Sequence, residues 1–197
     1  RDAWESEASE GFRDAFIKLG GKVVASEVVL QDTNEIALPV TKVLATKPDA
    51  IFLGTYYKFV DFTKKARELG YKGKLYSIEI DSNISNESKP YSDGLQFISP
   101  QFYNPDYVAR YKTLYGEEPA LPGGQNGDVF SLFLQLVMVP NVYNSDSQVF
   151  RQNLLNAMSR VKEYEGVSGR VTFTDDRQAV FPLNIFEIQS GIINKIK

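Results

Sequence analysis

The sequence predicts an α/β protein built on a parallel sheet flanked by helices, and three observations carry that expectation. The stretch from Pro48 to Glu79 reads as one complete strand–helix–strand unit. Before and after it, apolar residues alternate between the strand period and the helix period as far as Ser99. After Gly169 the chain ends in closely spaced β segments. With 197 residues it can bury a sizeable core, in one large or two small domains.

Glu5 to Leu19 is expected to be a helix, with Ala8, Phe12, Phe16 and Leu19 on one stripe and Glu5, Glu7 and Glu10 crowding its amino end, where the helix dipole favours acids. Gly20-Gly21 ends it. The β-branched run Lys22 to Leu30 reads as a strand, Gln31 to Asn34 as a turn, and Leu38 to Thr46 as a helix with Pro39 in its first turn. Ala50 to Leu53 is too short an apolar run for a helix. Phe59, Phe62, Ala66 and Leu69 then take up helical spacing, with Lys64, Lys65 and Arg67 read as a solvated face, and Gly70 is the expected left-handed stop. Lys74 to Ile78 is the returning strand. Ser85 to Ser92 is polar, with at most a helical turn, and Gly94 to Ser99 is the next strand.

Beyond Pro100 comes a block of helices with no strand of its own. Asn104-Pro105-Asp106 opens one carrying Tyr107, Val108, Tyr111 and Leu114. Pro122 to Gly127 reads as a loop, Asp128 to Val139 as a buried apolar helix, and Ser147 to Val161 as an amphipathic one. These apolar faces need a sheet to cover, and none is obvious here. The tail supplies strands at Gly169 to Thr174, Ala179 to Ile188 and Ile192 to Ile196.

Composition narrows the chemistry. At 43% apolar and 24% charged residues the chain is an ordinary globular protein. The net charge of −3, without a basic cluster, argues against nucleic acid as a partner. Without histidine or cysteine there is no imidazole or thiolate metal site, no cysteine nucleophile and no Ser-His triad. The glycine-rich Pro122 to Gly127 lacks the lysine of a phosphate loop and follows no strand. Asp81 to Ser92 lacks the glycine and closing glutamate of a calcium loop. No cofactor is expected. The chain opens on Arg1-Asp2-Ala3-Trp4 without methionine or signal peptide and enters a helix at once, so the start is expected to be a cut.

Two adjacent parallel strands deliver their carboxyl ends to one edge of the sheet, where ligands of open α/β folds bind. That edge receives Gly54-Thr55-Tyr56-Tyr57 from one strand, and Glu79 with Asp81 from the next. A carboxylate beside an aromatic face is a receptor for a small cation such as an ammonium group. The plainer alternatives are a solvated acid for Glu79 and a packing ring for Tyr56, with Tyr57 competing for the ligand-facing place.

Several segments, in order, carry a family resemblance. They are EGFRDAFIKLGGKVVASEVV, TKPDAIFLGTYY, KKARELGYKGKLYSIE, SDGLQFISPQFYNPDYVARYKTLYGEEPA, NGDVFSLFLQL, YEGVSGRVTFTDD and FPLNIFEIQSGIINKI. Together they resemble the second half of a type I periplasmic solute-binding protein, the branched-chain amino-acid receptors of ABC transporters and their relatives. The resemblance implies two α/β lobes closing on a ligand like a hinged trap. Residues 1–99 and 181–197 would form most of the second lobe, and 100–180 the returning part of the first, whose sheet would come from an absent amino-terminal half. It also implies that Glu79 holds an α-ammonium and that Tyr56 and Trp4 wall the cleft, with Tyr57 and Asp81 as further candidates. The expected protein is a non-catalytic, periplasmic or extracellular receptor, with a lipid anchor among the expectations for its full-length form, that delivers an amino acid to a membrane permease. Other readings are a sensor domain of the same fold for amides or other small molecules, and a nucleotide-using enzyme. Two departures stand out: the glycine that usually follows the first aromatic is Glu5 here, and a glycine of the last β turn is Arg177.

Overall fold

The computed structural model describes residues 3–30, 32–100, 104–117, 119 and 123–196. In chain order the elements are α1 (Ala3–Lys18), α2 (Ala37–Ala45), β1 (Ala50–Leu53), α3 (Phe59–Glu68), β2 (Lys74–Ile78), α4 (Ser82–Glu87) and β3 (Gln96–Pro100). Then follow α5 (Pro105–Tyr115), α6 (Gly123–Val137), α7 (Ser147–Met158), β4 (Glu163–Gly166), β5 (Gly169–Phe173), β6 (Ala179–Val180), β7 (Leu183–Gln189) and β8 (Ile192–Lys195). They fall into two compact units, Arg1–Ser99 with Asn184–Lys197, and Pro100–Leu183.

The first unit holds a five-stranded sheet in the order β1-β2-β3-β7-β8. β1 pairs parallel with β2, Leu53 opposite Ser77, and β2 pairs parallel with β3, Ile78 opposite Ile98. Ile51 and Leu53 are buried on one face of β1, while Phe52 on the other stacks on Phe12 of α1 with ring centroids 3.9 Å apart. That stack and Gly54 fix the helix over the strand. A Cβ on Gly54 would lie 1.9 Å from Ser9 Oγ, so any side chain there would have to displace Ser9 of α1. Ser9 fills the space above Gly54.

α3 buries the expected stripe, Phe59, Phe62 and Ala66, and Gly70 ends it at a φ of 86°, while Leu69 is half exposed. Arg67 is not part of a solvated face. Its guanidinium donates to the carbonyls of Tyr71, Gly73 and Tyr91 and ties the α3–β2 turn to the segment before β3. The polar stretch after β2 forms a six-residue helix, α4, whose Ser85 Oγ donates to the Gly191 carbonyl at 3.0 Å.

Lys22 to Leu30 does not form the expected strand: residues 22–30 lie outside any regular element. The sheet stops at β1, and a β-branched run without a neighbour to complete its ladder is extended chain, not a strand.

The second unit sets α5, α6 and α7 with a small sheet ordered β4-β5-β6. Asn104 and Asp146 cap α5 and α7 by accepting from backbone N–H groups of the first turn. α6 begins at Gly123, so most of the stretch read as a loop is helical. β4, with the polar sequence Glu-Tyr-Glu-Gly, gave no strand signal and is made by its antiparallel pairing with β5. The strand expected from Ala179 to Ile188 is broken into β6 and β7 around Pro182, which has no N–H to offer a ladder.

α6 is not buried as its composition suggested, since among the described residues Val129, Phe130 and Leu134 are 70%, 61% and 47% exposed. The small sheet meets α6 through Asp128, not through its apolar stripe. The Asp128 carboxylate is buried and accepts the Val167 and Ser168 amides, at 2.8 and 2.9 Å, from the turn joining β4 and β5. Gly166 is required beside it, because a Cβ there would lie 2.3 Å from the Asp128 carboxyl carbon.

Two stability outcomes are expected. Gly54→Ala should destabilise the protein by about 1–3 kcal/mol through overpacking, and adding Ser9→Gly should recover part of that loss in chemical denaturation. Asp128→Ala should cost about 2–3 kcal/mol and raise amide exchange at Val167 and Ser168, which lose a charged acceptor out of water.

Candidate ligand site at the carboxyl edge of the sheet

β1 and β2 end side by side, so the residues after Leu53 and after Ile78 emerge at the same edge. Glu79 extends the ladder one step, donating its N–H to the Ile98 carbonyl at 3.0 Å. Its φ is nonetheless 38°, a left-handed backbone that costs a non-glycine residue about 1 kcal/mol or more. Buried Ile78 and fully buried Ile80 on either side hold it there. The Glu79 side chain is half-buried, and among the described residues no hydrogen bond or ion pair satisfies its carboxylate. Loss of water pushes its pKa above the ordinary value of 4.5.

Tyr56 is half-buried and donates its hydroxyl to Asp81 Oδ2 at 2.5 Å. Burial first, then the Asp81 hydrogen bond and charge, with smaller contributions from Tyr57 and Glu79, push the phenol up to about 12. The proton therefore stays on the oxygen and points at Asp81. What the phenol still offers a ligand is a lone pair. Asp81 is spent in the same way: Oδ1 accepts the Ile84 amide at 2.9 Å and so caps α4, while Oδ2 takes the Tyr56 proton. Both oxygens are engaged in building the edge.

The Tyr57 ring meets Tyr56 edge-on, with centroids 5.7 Å apart and planes at 82°, yet the residue is 59% exposed. Trp4 lies in the first turn of α1 and is 42% exposed. The structure thus brings Tyr56 and Asp81 into direct contact and places Glu79 where its charge reaches the phenol. Tyr57 flanks them. The residue that follows Trp4 in α1 reaches this edge.

That residue is Glu5, which the sequence reading treated as a dipole-favoured acid. It is 6% exposed, and its Oε1 accepts the Tyr56 amide at 2.8 Å and the Thr55 hydroxyl at 3.1 Å. A glutamate in a first helical turn is usually solvated, so no local signal separates this one from Glu7 or Glu10.

The edge is thus a partly desolvated surface of acceptors: a carboxylate without a partner among the described residues, a phenol oxygen whose proton is engaged, and aromatic faces. It suits a compact cation with several N–H donors.

Comparison with proteins of known structure gives the fold a context. A leucine binding protein, LivK, from Thermotoga maritima superposes with a TM-score of 0.86 at 19% identity, covering 100% of this chain and 57% of that one. An extracellular ligand-binding receptor from Rhodopseudomonas palustris gives a TM-score of 0.87 at 20% identity, over 100% of this chain and 61% of that one. An ABC transporter substrate-binding protein from Desulfitobacterium hafniense, in complex with Leu, gives 0.71 at 17% identity, over 99% and 57%. The chain spans about three-fifths of the length of these structures. Curated protein sequences give no match. The profile described as "Periplasmic binding protein" matches residues 1–192. A match over nearly the whole chain, on a fold shared with type I receptors, establishes membership: this chain belongs to the periplasmic binding protein family.

Proposed function

We propose that the protein is an extracytoplasmic solute-binding receptor that takes a small amino acid by its ammonium group and supplies it to an ABC permease. The observation that carries this reading is the Glu79 carboxylate, partly desolvated and without a partner among the described residues, beside a phenol that can only accept. An ammonium group would offset that desolvation through charge-assisted hydrogen bonds, each worth about 1.5–3 kcal/mol net. Tyr56, with Tyr57 and Trp4 nearby, supplies aromatic surface for the cation and for an apolar side chain. The similar structures support the ligand class: one is a leucine binding protein and another is in complex with Leu. Residues 1–99 with 184–197 and residues 100–183 are proposed as parts of the two lobes of such a receptor.

Calorimetry with L-leucine tests the assignment. Glu79→Gln should weaken binding by about tenfold or more, and Tyr56→Phe, which loses one acceptor, by about fivefold. Wild-type affinity in Glu79→Gln would refute it.

The pH dependence has a definite sign. Folding raises the Glu79 pKa above 4.5, so its contribution to stability is present below that value and is lost as pH rises through the folded pKa. Glu79→Gln should therefore raise the ligand-free melting temperature at neutral pH, and less so below pH 4.5. Bound ammonium favours the carboxylate, so L-leucine binding should release protons in the window just above 4.5, measured in buffers of different ionisation enthalpy.

A further inference from the structure

α1 buries one residue almost completely, and it is a glutamate: Glu5 is 6% exposed while the apolar residues Phe12 and Phe16 are 37% and 40% exposed. Sinking a carboxylate is costly unless donors replace water. Here the donors belong to the segment that carries Tyr56. Glu5 Oε1 accepts the Tyr56 amide at 2.8 Å and the Thr55 hydroxyl at 3.1 Å. Thr55 Oγ1 in turn accepts the Lys58 amide at 3.3 Å, at the threshold of α3. On the other side, Ser9 Oγ donates to the Glu5 carbonyl at 2.7 Å and sits against Gly54. One carboxylate thus joins the first turn of α1, the loop after β1 and the entry to α3.

We propose that Glu5 is a positioning residue of the ligand site: it clamps the Tyr56 backbone so that the phenol is fixed at both ends, by Glu5 at the amide and by Asp81 at the hydroxyl. The same clamp makes the Trp4 turn and the Tyr56 loop one rigid piece, so that the aromatic surfaces and the Glu79 acceptor hold a constant spacing. The ring is then preorganised, and ligand binding spends little on ordering it. This inference rests on the edge being the ligand site, and the test separates the two.

Four variants, Glu5→Ala, Glu5→Gln, Phe12→Leu and Glu79→Gln, are compared with wild type. Phe12→Leu loosens α1 on β1 without touching the clamp. In the ligand-free protein, carbon NMR of labelled tyrosine reads the Tyr56 titration, and amide exchange reads its N–H. Wild-type Tyr56 should titrate at about 12. Glu5→Ala should move that midpoint down and speed exchange of the Tyr56 amide. Glu5→Gln, whose carbonyl oxygen can still accept that amide, should restore most of both, and Phe12→Leu should change neither. In calorimetry with L-leucine, Glu5→Ala should bind about tenfold more weakly, Glu5→Gln within about threefold of wild type, and Phe12→Leu within about twofold. An unchanged Tyr56 titration and amide in Glu5→Ala would overturn the clamp. Equal loss of affinity in Phe12→Leu and Glu5→Ala would reduce Glu5 to a packing role and overturn the proposal too. Wild-type L-leucine affinity in Glu79→Gln would instead remove the ligand assignment, while the ligand-free readouts still decide the clamp.

Discussion

A carboxylate taken out of water must be given N–H or O–H donors, and that constraint ties separate segments of this structure together. Glu5 takes the Tyr56 amide and the Thr55 hydroxyl, Asp81 takes the Ile84 amide and the Tyr56 hydroxyl, and Asp128 takes the Val167 and Ser168 amides. In each case one acid joins two or more segments that the chain itself separates. The first two act on the same tyrosine from opposite ends. Such bonds are directional, so they fix distances and angles where apolar packing alone would leave latitude.

Glu79 stands outside that pattern. It sits on the same edge, partly desolvated, in a left-handed backbone conformation stabilised by its own N–H and by two buried isoleucines, yet no donor among the described residues meets its carboxylate. Strain and desolvation collected at a single residue commonly mark a place where the folded state is prepared for something it binds. The Glu5 and Asp81 carboxylates already accept from backbone and hydroxyl donors, which leaves Glu79 as the acceptor with unspent capacity among the described residues. A binding surface made this way is rigid before the ligand arrives, and that limits the ordering entropy of association.

The similarity to solved receptors lies in the course of the backbone, with identities near one-fifth. A shared fold at that level reflects a common layering of helices on a parallel sheet, which many side-chain sets can fill. What is particular to this chain is how its edge is assembled, with Ser9 filling the space above Gly54 and Glu5 clamping the loop. The family establishes the architecture; the acids establish the geometry at its rim.

Much of the first unit was legible in the sequence. The strand–helix–strand unit from Pro48 to Glu79, its apolar stripe on α3 and its glycine stop follow from local periodicity and backbone preference, and they place Tyr56, Glu79 and Asp81 on one edge by topology alone. Local pattern could not report pairing. Lys22 to Leu30 has strand composition but no neighbour, β4 has little of that composition yet pairs with β5, and the apolar Val129 and Phe130 of α6 stay exposed. Nor could it report which acids are spent. Glu5, Asp81 and Glu79 are alike as letters, and only the fold, by bringing amides and a phenol to the first two and withholding donors from the third, made two of them struts and one of them an open acceptor.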